Sequence, residues 1–132
     1  MEVVLQSVLD KVKGNLFVGE VQKQIPFPIK RFYVIRDVPS SEIDRGMHAH
    51  KELEQVLFCL NGSFELGLDD GQKKWEVFMD DPSKGEFIGK GIWRSMSNFS
   101  KDCVLLVVAS EHYNESDYIR DYDAFLKYIS VQ

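Results

Sequence analysis

Two histidines, His48 and His50, lie two positions apart in the stretch RGMHAHKELEQVLFCLNG, residues 45–62. Residues i and i+2 of a strand point to the same face, so the two imidazoles are expected to project together. Imidazole binds divalent metals, and near neutral pH it also accepts and donates protons. The spacing leaves three interpretations open: a metal site, an acid–base pair, or exposed polar residues beside Lys51 and Glu52.

The residues around this pair resemble the two sequence signatures of the cupin superfamily, with two departures at the metal-ligand positions and a Gly89 in place of a Pro. The first signature has a Glu where this chain has Gln55, and the second has a His where this chain has Arg94. A cupin metal site uses that Glu and that His together with the His-x-His pair, but a guanidinium cannot lose a proton to coordinate a metal. We therefore expect no metal. We expect His48 and His50 to transfer protons, a role that typically contributes about 10²- to 10⁴-fold to a rate, and Arg94 to stabilise a developing oxyanion.

The middle of the chain alternates apolar and polar residues between turn signals, which is typical of an antiparallel all-β domain. Strands are predicted at 31–38, 53–60, 63–68 and 72–79, within 86–99, and at 103–110. Asn61-Gly62 and Asp70-Gly71 tolerate the positive φ angles of hairpin turns, so the second to fourth of these strands are predicted to form a β-meander.

The C-terminal segment has a different pattern. Apolar residues recur at helical spacing over 116–129, behind a potential N-cap at Ser116, which predicts one helix packed on the sheets. The expected fold class is all-β, a cupin-type jelly-roll β-barrel with a C-terminal α-helix. Small barrels of this kind leave a pocket at the mouth, where the histidines are expected.

Length and composition limit the classes of protein that remain. The chain has 132 residues, of which 44% are hydrophobic and 28% charged, so we expect one domain over 1–132. A net charge of −5 argues against binding nucleic acid through its phosphates. No apolar run approaches the ~20 residues of a membrane span, and no secretion signal is apparent, so we expect a cytoplasmic protein without a membrane partner. Cys59 and Cys103 lie in apolar stretches and are expected to be free and buried.

Four stretches closely resemble the WxcM-like sugar-nucleotide isomerases, the dTDP-4-keto-6-deoxyglucose 3,4-ketoisomerases. They are IKRFYVIRDVP, RGMHAHKELEQVLFCLNGSFELGLDDG, GIWRSMSNFSKDCVLLVVAS and DYIRDYDAF, and the likeness extends over about residues 25–126. The resemblance implies a jelly-roll enzyme without metal or cofactor, usually a homodimer, that moves the keto group of a dTDP-linked 4-keto-6-deoxyhexose from C4 to C3. Its products feed the 3-amino-3,6-dideoxysugars of bacterial surface polysaccharides such as lipopolysaccharide O-antigens and S-layer glycans.

The same resemblance suggests the residues of the site. The family's paired histidines fall on His48 and His50, and its active-site tyrosine falls on Tyr33. One histidine is expected to remove the C3 proton, and the other, or Tyr33, to handle the proton delivered to C4 or moved between the oxygens. Arginines are the candidates to bind the pyrophosphate, and an aromatic ring could stack on thymine or sugar. The predicted substrate-binding residues are Arg31, Arg45, Gln55, Trp93, Arg94 and Arg120.

One departure from the family pattern leaves alternatives open. Family members commonly carry Trp-His where this chain has Trp93-Arg94, so a third pocket histidine is expected to be missing. A second interpretation is an epimerase acting on the same class of sugar, which would return the proton to the carbon it came from. A third is a cupin that binds a sugar nucleotide without catalysis, suggested by the loss of the Glu and His positions.

Overall fold

The computed structural model describes all 132 residues and contains two five-stranded antiparallel sheets, a two-stranded ribbon and one helix. The elements in chain order are β1 (Glu2–Val4), β2 (Gln6–Val8), β3 (Leu16–Val18), β4 (Arg31–Arg36), β5 (Arg45–His50), β6 (Gln55–Asn61), β7 (Phe64–Asp69), β8 (Lys74–Met79), β9 (Lys84–Ile88), β10 (Trp93–Ser97), β11 (Val104–Ala109), β12 (Tyr118–Ile119) and α1 (Tyr122–Ser130). The first sheet has the order β1-β9-β6-β11-β4, and the second has the order β12-β5-β10-β7-β8. The all-β jelly roll with a C-terminal helix is confirmed, but the two sheets pack face to face and do not close into a barrel.

The core is divided into three clusters by the alternation of side chains along the strands. In β6, Leu57 and Cys59 face the space between the sheets, whereas Val56 and Phe58 face outward beneath the N-terminal segment. A third cluster, which includes Phe125, joins the outer face of the second sheet to α1. Both faces of the central strands are therefore covered, which explains their nearly continuous apolar runs.

The predicted meander is wrong at its first turn. β7 and β8 do pair through the Asp70-Gly71 turn, but β6 pairs with β9 and β11 in the first sheet, while β7 belongs to the second. The Asn61-Gly62 step is therefore a corner between the sheets. Gly62 has a φ angle of +69°, and a Cβ at this position would lie 2.9 Å from the Cα of Cys103. Long-range pairing with β11 determines where β6 lies, and a local turn signal cannot reveal it.

The C-terminal helix is shorter than predicted. It begins at Tyr122, and the side chain of its N-cap Asp121 accepts a hydrogen bond from the Ala124 N–H at 2.9 Å. Ser116 is not the N-cap, because 118–119 forms β12 and pairs with His50 and Ala49 of β5. A 3₁₀ turn over Glu115–Asp117 precedes this strand. The pairing brings the segment 115–119 next to the two histidines.

Two expectations about other parts of the chain can be compared directly. Cys59 and Cys103 are free and buried, as predicted, and their Sγ atoms lie 3.9 Å apart. None of the helical segments has the length and apolar character needed to cross a membrane.

Candidate active site

β5 places both histidines in the space between the sheets. His50 is completely buried and His48 is 9% exposed. Their ring centroids are 4.9 Å apart and their planes are nearly perpendicular, at 88°. A β-bulge precedes them, because Arg94 pairs with His48 while the next residue of β10 pairs with Gly46, which leaves Met47 unpaired. This bulge lets the Gly46 carbonyl accept a hydrogen bond from His48 Nδ1 at 3.0 Å.

A side chain at Gly46 is expected to be strained and crowded, since the φ angle is +79° and a Cβ would lie 3.2 Å from the Arg94 carbonyl oxygen and 3.1 Å from Met96 Cε. We expect Gly46→Ala to lower the free energy of unfolding by about 1–3 kcal/mol, measured by urea denaturation. Gly14→Ala is the matched control: Gly14 has a φ angle of +93°, but a Cβ there meets nothing within 4 Å. Equal losses in the two variants would contradict the argument from crowding beside His48.

The two histidines differ in what their Nδ1 atoms contact. His48 Nδ1 donates to the backbone carbonyl of Gly46, whereas His50 Nδ1 lies 3.0 Å from the Asp117 carboxylate. His50 Nε2 is buried and has no hydrogen-bond partner in the protein. A buried polar atom without a partner is costly, so this nitrogen is suited to contact a bound substrate.

The charge state of both histidines is governed by burial. Burial, and after it the neighbouring Arg94 cation, lower the pKa of His48 to about 4. The pKa of His50 is also lowered, first by burial and then by Arg94 and His48, against a smaller opposing effect of Asp117. Both imidazoles are therefore neutral at pH 7, which is the form that accepts a proton.

These pKa shifts predict how stability depends on pH. In the unfolded chain a histidine titrates near pH 6.5, so between pH 6.5 and about 4 the unfolded chain binds a proton that folded His48 does not. The free energy of unfolding should therefore fall as the pH decreases through this window, by about 2–3 kcal/mol for His48 alone. Urea denaturation between pH 7 and pH 4.5 measures the slope. His48→Asn should make the slope shallower and leave the part that His50 contributes, whereas His112→Asn, which removes an exposed histidine, should leave it unchanged. Equal slopes in all three proteins would contradict the prediction.

Arg94 is a buried cation with no counter-ion. It is 1% exposed, and no carboxylate forms an ion pair with it. Nη1 donates to Gln55 Oε1 at 2.6 Å and Nη2 donates to the Ile92 carbonyl at 2.9 Å, while Nε has no partner. Burial lowers the pKa of Arg94 to about 10, so it remains charged at pH 7. An uncompensated buried charge is costly, and an anionic group brought by a ligand would offset that cost.

Gln55 connects Arg94 to Tyr33 across the two sheets. Its Nε2 donates to the Tyr33 hydroxyl oxygen at 3.1 Å, so the hydroxyl hydrogen of Tyr33 stays free to be donated elsewhere. Burial raises the pKa of Tyr33. The phenol is therefore protonated at pH 7 and can act as an acid.

Aromatic rings cover the histidines. The Tyr118 ring centroid lies 4.9 Å from that of His48 and 4.3 Å from that of His50, and Tyr113 packs on Tyr118 at 5.7 Å. Neither histidine lines any of the five principal cavities of the structure. Because His50 is completely buried, a substrate can reach it only if one of the covering side chains moves.

Two predicted arginines lie around this aromatic cover. The guanidinium of Arg31 lies 5.5 Å from the centre of the Tyr33 ring, and its Nε and Nη2 atoms are buried without partners. Arg120 lies 4.2 Å from the centre of the Tyr118 ring and forms an ion pair with Glu115 at 2.8 Å. Arg31 is thus the arginine of the two with hydrogen-bond donors free for an anion.

Two other predicted residues lie away from the site. Trp93 packs on Tyr122 and Phe125 beneath α1. Neighbouring residues of a strand face opposite sides, so Trp93 lies on the outer face of β10 while Arg94 faces the interior, and stacking of Trp93 on thymine or sugar stays a prediction. Arg45 is exposed at the start of β5 and makes no hydrogen bond or ion pair with the histidines.

Asp117 and Tyr118 contact the histidines but were not predicted from the sequence. Both lie in the stretch SDYIRDY, whose apolar spacing indicates a helix. The structure instead pairs this stretch with β5. The only local signal for these two residues is their position directly before the Ile-Arg-Asp-Tyr segment that resembles the family.

The site does not fit a divalent metal. The residue in the fourth-ligand position is the Arg94 cation, and His50 Nδ1 is already engaged by Asp117. No group of three or more His, Cys, Asp or Glu side chains is placed to hold a metal ion. The donor set therefore favours acid–base chemistry.

A jelly roll with titratable side chains between its sheets defines a cupin-like protein. Within that class the chain belongs to the WxcM-like family, because the family model described as "FdtA: WxcM-like, C-terminal" matches residues 2–130. The resemblance seen in the sequence is thereby confirmed.

Three relatives with known activity or structure support this membership. A TDP-4-oxo-6-deoxy-alpha-D-glucose-3,4-oxoisomerase from Aneurinibacillus thermoaerophilus is 52% identical over 125 residues, which are 95% of this chain and 88% of the relative. The crystal structure of a 3,4-ketoisomerase from Helicobacter canadensis superposes with a TM-score of 0.94 at 46% identity, covering 98% of this chain and 96% of that one. A histidine-to-asparagine variant of the 3,4-ketoisomerase QdtA from Thermoanaerobacterium thermosaccharolyticum, in complex with TDP-4-keto-6-deoxyglucose, gives 0.95 at 42% identity, covering 100% and 94%.

Proposed function

We propose that the chain, as one domain over 1–132, is a 3,4-ketoisomerase that acts on a dTDP-linked 4-keto-6-deoxyhexose without a cofactor. The observation that carries this proposal is the combination of two neutral buried histidines with an uncompensated arginine cation in one site. The substrate class comes from two relatives, the oxoisomerase from Aneurinibacillus thermoaerophilus and the QdtA variant in complex with TDP-4-keto-6-deoxyglucose.

The residues of the site match the needs of the reaction. The C4 carbonyl makes the C3 proton acidic, and a neutral imidazole, His48 or His50, takes that proton to leave an enediolate. Arg94 stabilises the negative charge that develops on oxygen. A proton is then delivered to C4 by the other histidine or by Tyr33, and the hydroxyl proton of O3 is lost as O4 gains one. Protons and electrons balance within the sugar, so no external oxidant or reductant is consumed.

Among the predicted arginines, Arg31 is best supported as a pyrophosphate ligand. Two of its guanidinium nitrogens are buried without partners next to Tyr33, and arginine presents a planar set of donors that suits phosphate oxygens. Arg120 is already neutralised by Glu115, and Arg45 lies at the far end of β5. Both therefore rank below Arg31 as candidates.

Incubation with dTDP-4-keto-6-deoxyglucose in deuterium oxide, followed by NMR of the product, tests the proposed function. The expected product has its ketone at C3 and deuterium at C4. A product that still has its ketone at C4 and carries deuterium beside it would instead show an epimerase. Binding of TDP without turnover would show a binding protein.

We also propose that the protein is a cytoplasmic homodimer. β4 is an edge strand, and the outward side chains Phe32 and Val34 are 67% and 49% exposed. They continue an apolar surface around a cavity of about 290 Å³, which Ile29, Leu60 and Leu106 help to line. Contiguous exposed apolar area of this kind commonly marks an interface. Sedimentation equilibrium tests the proposal, and a monomer at micromolar concentration would contradict it.

A further inference from the structure

Asp117 is held in place by the backbone of the loop that follows β5. Its Oδ1 accepts a hydrogen bond from the Glu52 N–H at 2.7 Å, and its Oδ2 accepts one from the Leu53 N–H at 3.3 Å. The carbonyl of Asp117 accepts the Lys51 N–H at 3.0 Å. The side chain is 12% exposed, and its only ionisable partner is His50, at 3.0 Å. The orientation of the carboxylate is thus determined by fixed backbone groups and not by a mobile cation.

We propose that Asp117 is the positioning residue for proton transfer at His50: it holds the imidazole with its proton on Nδ1 and thereby keeps Nε2 as a proton acceptor aimed into the site. The proposal rests on the proposed function and adds a residue to its mechanism. Asp117 does not itself contact the substrate.

Hydrogen-bond chemistry supports this assignment. An ionised carboxylate can only accept, so a neutral His50 must place its single N–H toward Asp117 and its lone pair on Nε2. That Nε2 is the buried nitrogen without a partner. The Tyr118 ring at 4.3 Å and the perpendicular His48 ring at 4.9 Å pack against the imidazole and resist its rotation.

The carboxylate of Asp117 also makes the two histidines unequal as proton acceptors. When an imidazole takes a proton, its Nδ1–H bond to a carboxylate becomes a charge-assisted bond, which is stronger than one to a neutral carbonyl. His50 has the carboxylate of Asp117, whereas His48 has only the Gly46 carbonyl. Asp117 therefore stabilises the imidazolium that forms at His50 during turnover, against the repulsion from Arg94.

Asp117→Asn separates positioning from packing, because it keeps the shape of the side chain. The amide has only one oxygen. We expect that oxygen to take the place of Oδ1, because Oδ1 accepts the shorter hydrogen bond, from the Glu52 N–H at 2.7 Å. The NH₂ group then takes the place of Oδ2, where it loses the long 3.3 Å bond from the Leu53 N–H, faces His50 Nδ1 and can only donate. His50 is forced to carry its proton on Nε2, with no lone pair left for the substrate.

We expect Asp117→Asn to lower kcat by about 10²- to 10⁴-fold, with KM and TDP affinity changed by less than about threefold. ¹⁵N NMR of histidine-labelled protein should find the proton of His50 on Nδ1 in the wild type and on Nε2 in the variant. Asp123→Asn removes the same charge from an exposed position in the first turn of α1. This control should leave both kcat and the His50 tautomer unchanged.

Two results would overturn the assignment. One is a wild-type spectrum with the His50 proton on Nε2. The other is an Asp117→Asn variant that loses kcat, TDP affinity and thermal stability together while its tautomer stays as in the wild type, which indicates a merely structural role. The tautomer measurement needs no substrate, so a wild type without turnover would contradict the proposed function while the spectra still decide the role of Asp117.

Discussion

Replacing either histidine of the pair with asparagine is expected to lower kcat by about 10²- to 10⁴-fold while leaving TDP affinity within about threefold. The amide nitrogen of asparagine can occupy the position of Nδ1, so His48→Asn keeps a donor for the Gly46 carbonyl and His50→Asn keeps one for Asp117. Both variants lack Nε2, the atom that would exchange protons with the sugar. Turnover measured by product NMR, with calorimetric titration of TDP, separates the loss of chemistry from loss of binding.

The control for this pair is His112→Asn, since His112 is exposed and lies outside the site. It should turn over substrate at the wild-type rate. If His48→Asn or His50→Asn retains more than a tenth of wild-type kcat, that histidine is not a proton carrier in a rate-limiting step. Deuterium at C3 of the recovered substrate then shows that proton removal from C3 still occurs and that delivery to C4 is the slowed step, whereas its absence shows that removal from C3 is slowed.

Arg94→Met is expected to reduce kcat by about 10²- to 10³-fold without lowering the thermal unfolding temperature by more than a few degrees. The substitution removes the cation that would stabilise the enediolate. It also removes a buried charge that has no counter-ion, and an apolar side chain of similar length is often tolerated at such a position. The main cost is the loss of the 2.6 Å hydrogen bond from Arg94 to Gln55, because the buried Gln55 Oε1 is then left without a donor.

A second readout tests the electrostatic part of this prediction. Arg94 lowers the pKa of both histidines, so removing its charge should raise the pKa of His48, measured by NMR titration. Lys101→Met provides the control, because Lys101 is an exposed cation in the turn before β11, away from the histidines. Its kcat and histidine pKa values should match the wild type. A strongly destabilised Arg94→Met protein with full activity per folded molecule would contradict both parts of the prediction.

Local sequence patterns predicted most of the strands because alternation reports which face of a strand is buried. The segments expected at 31–38 and 103–110 became β4 (Arg31–Arg36) and β11 (Val104–Ala109). The Asp70-Gly71 turn joins the two strands that it was predicted to join. Three N-terminal strands were not predicted, since each has only three residues and offers too little alternation to recognise.

Patterns failed where contacts distant in the sequence decide the structure. Tyr118 and Ile119 have the spacing of a helix, but pairing with β5 places them in a strand. The Asn61-Gly62 step has the composition of a hairpin, but β6 pairs with β11 and β9 in the first sheet and not with β7. In both cases a tertiary contact overrode a local preference.

For the site, the sequence by itself determined the chemistry available: two imidazoles on one face of a strand, an amide in place of a carboxylate at Gln55, and a permanent cation at Arg94. Only the tertiary structure decided their state and their neighbours. Burial between the sheets makes both histidines neutral at pH 7, because desolvation depends on what packs around a group. The fold also brings Asp117 to His50 from 67 positions along the chain. No local pattern encodes that contact, since it exists only once β12 has paired with β5.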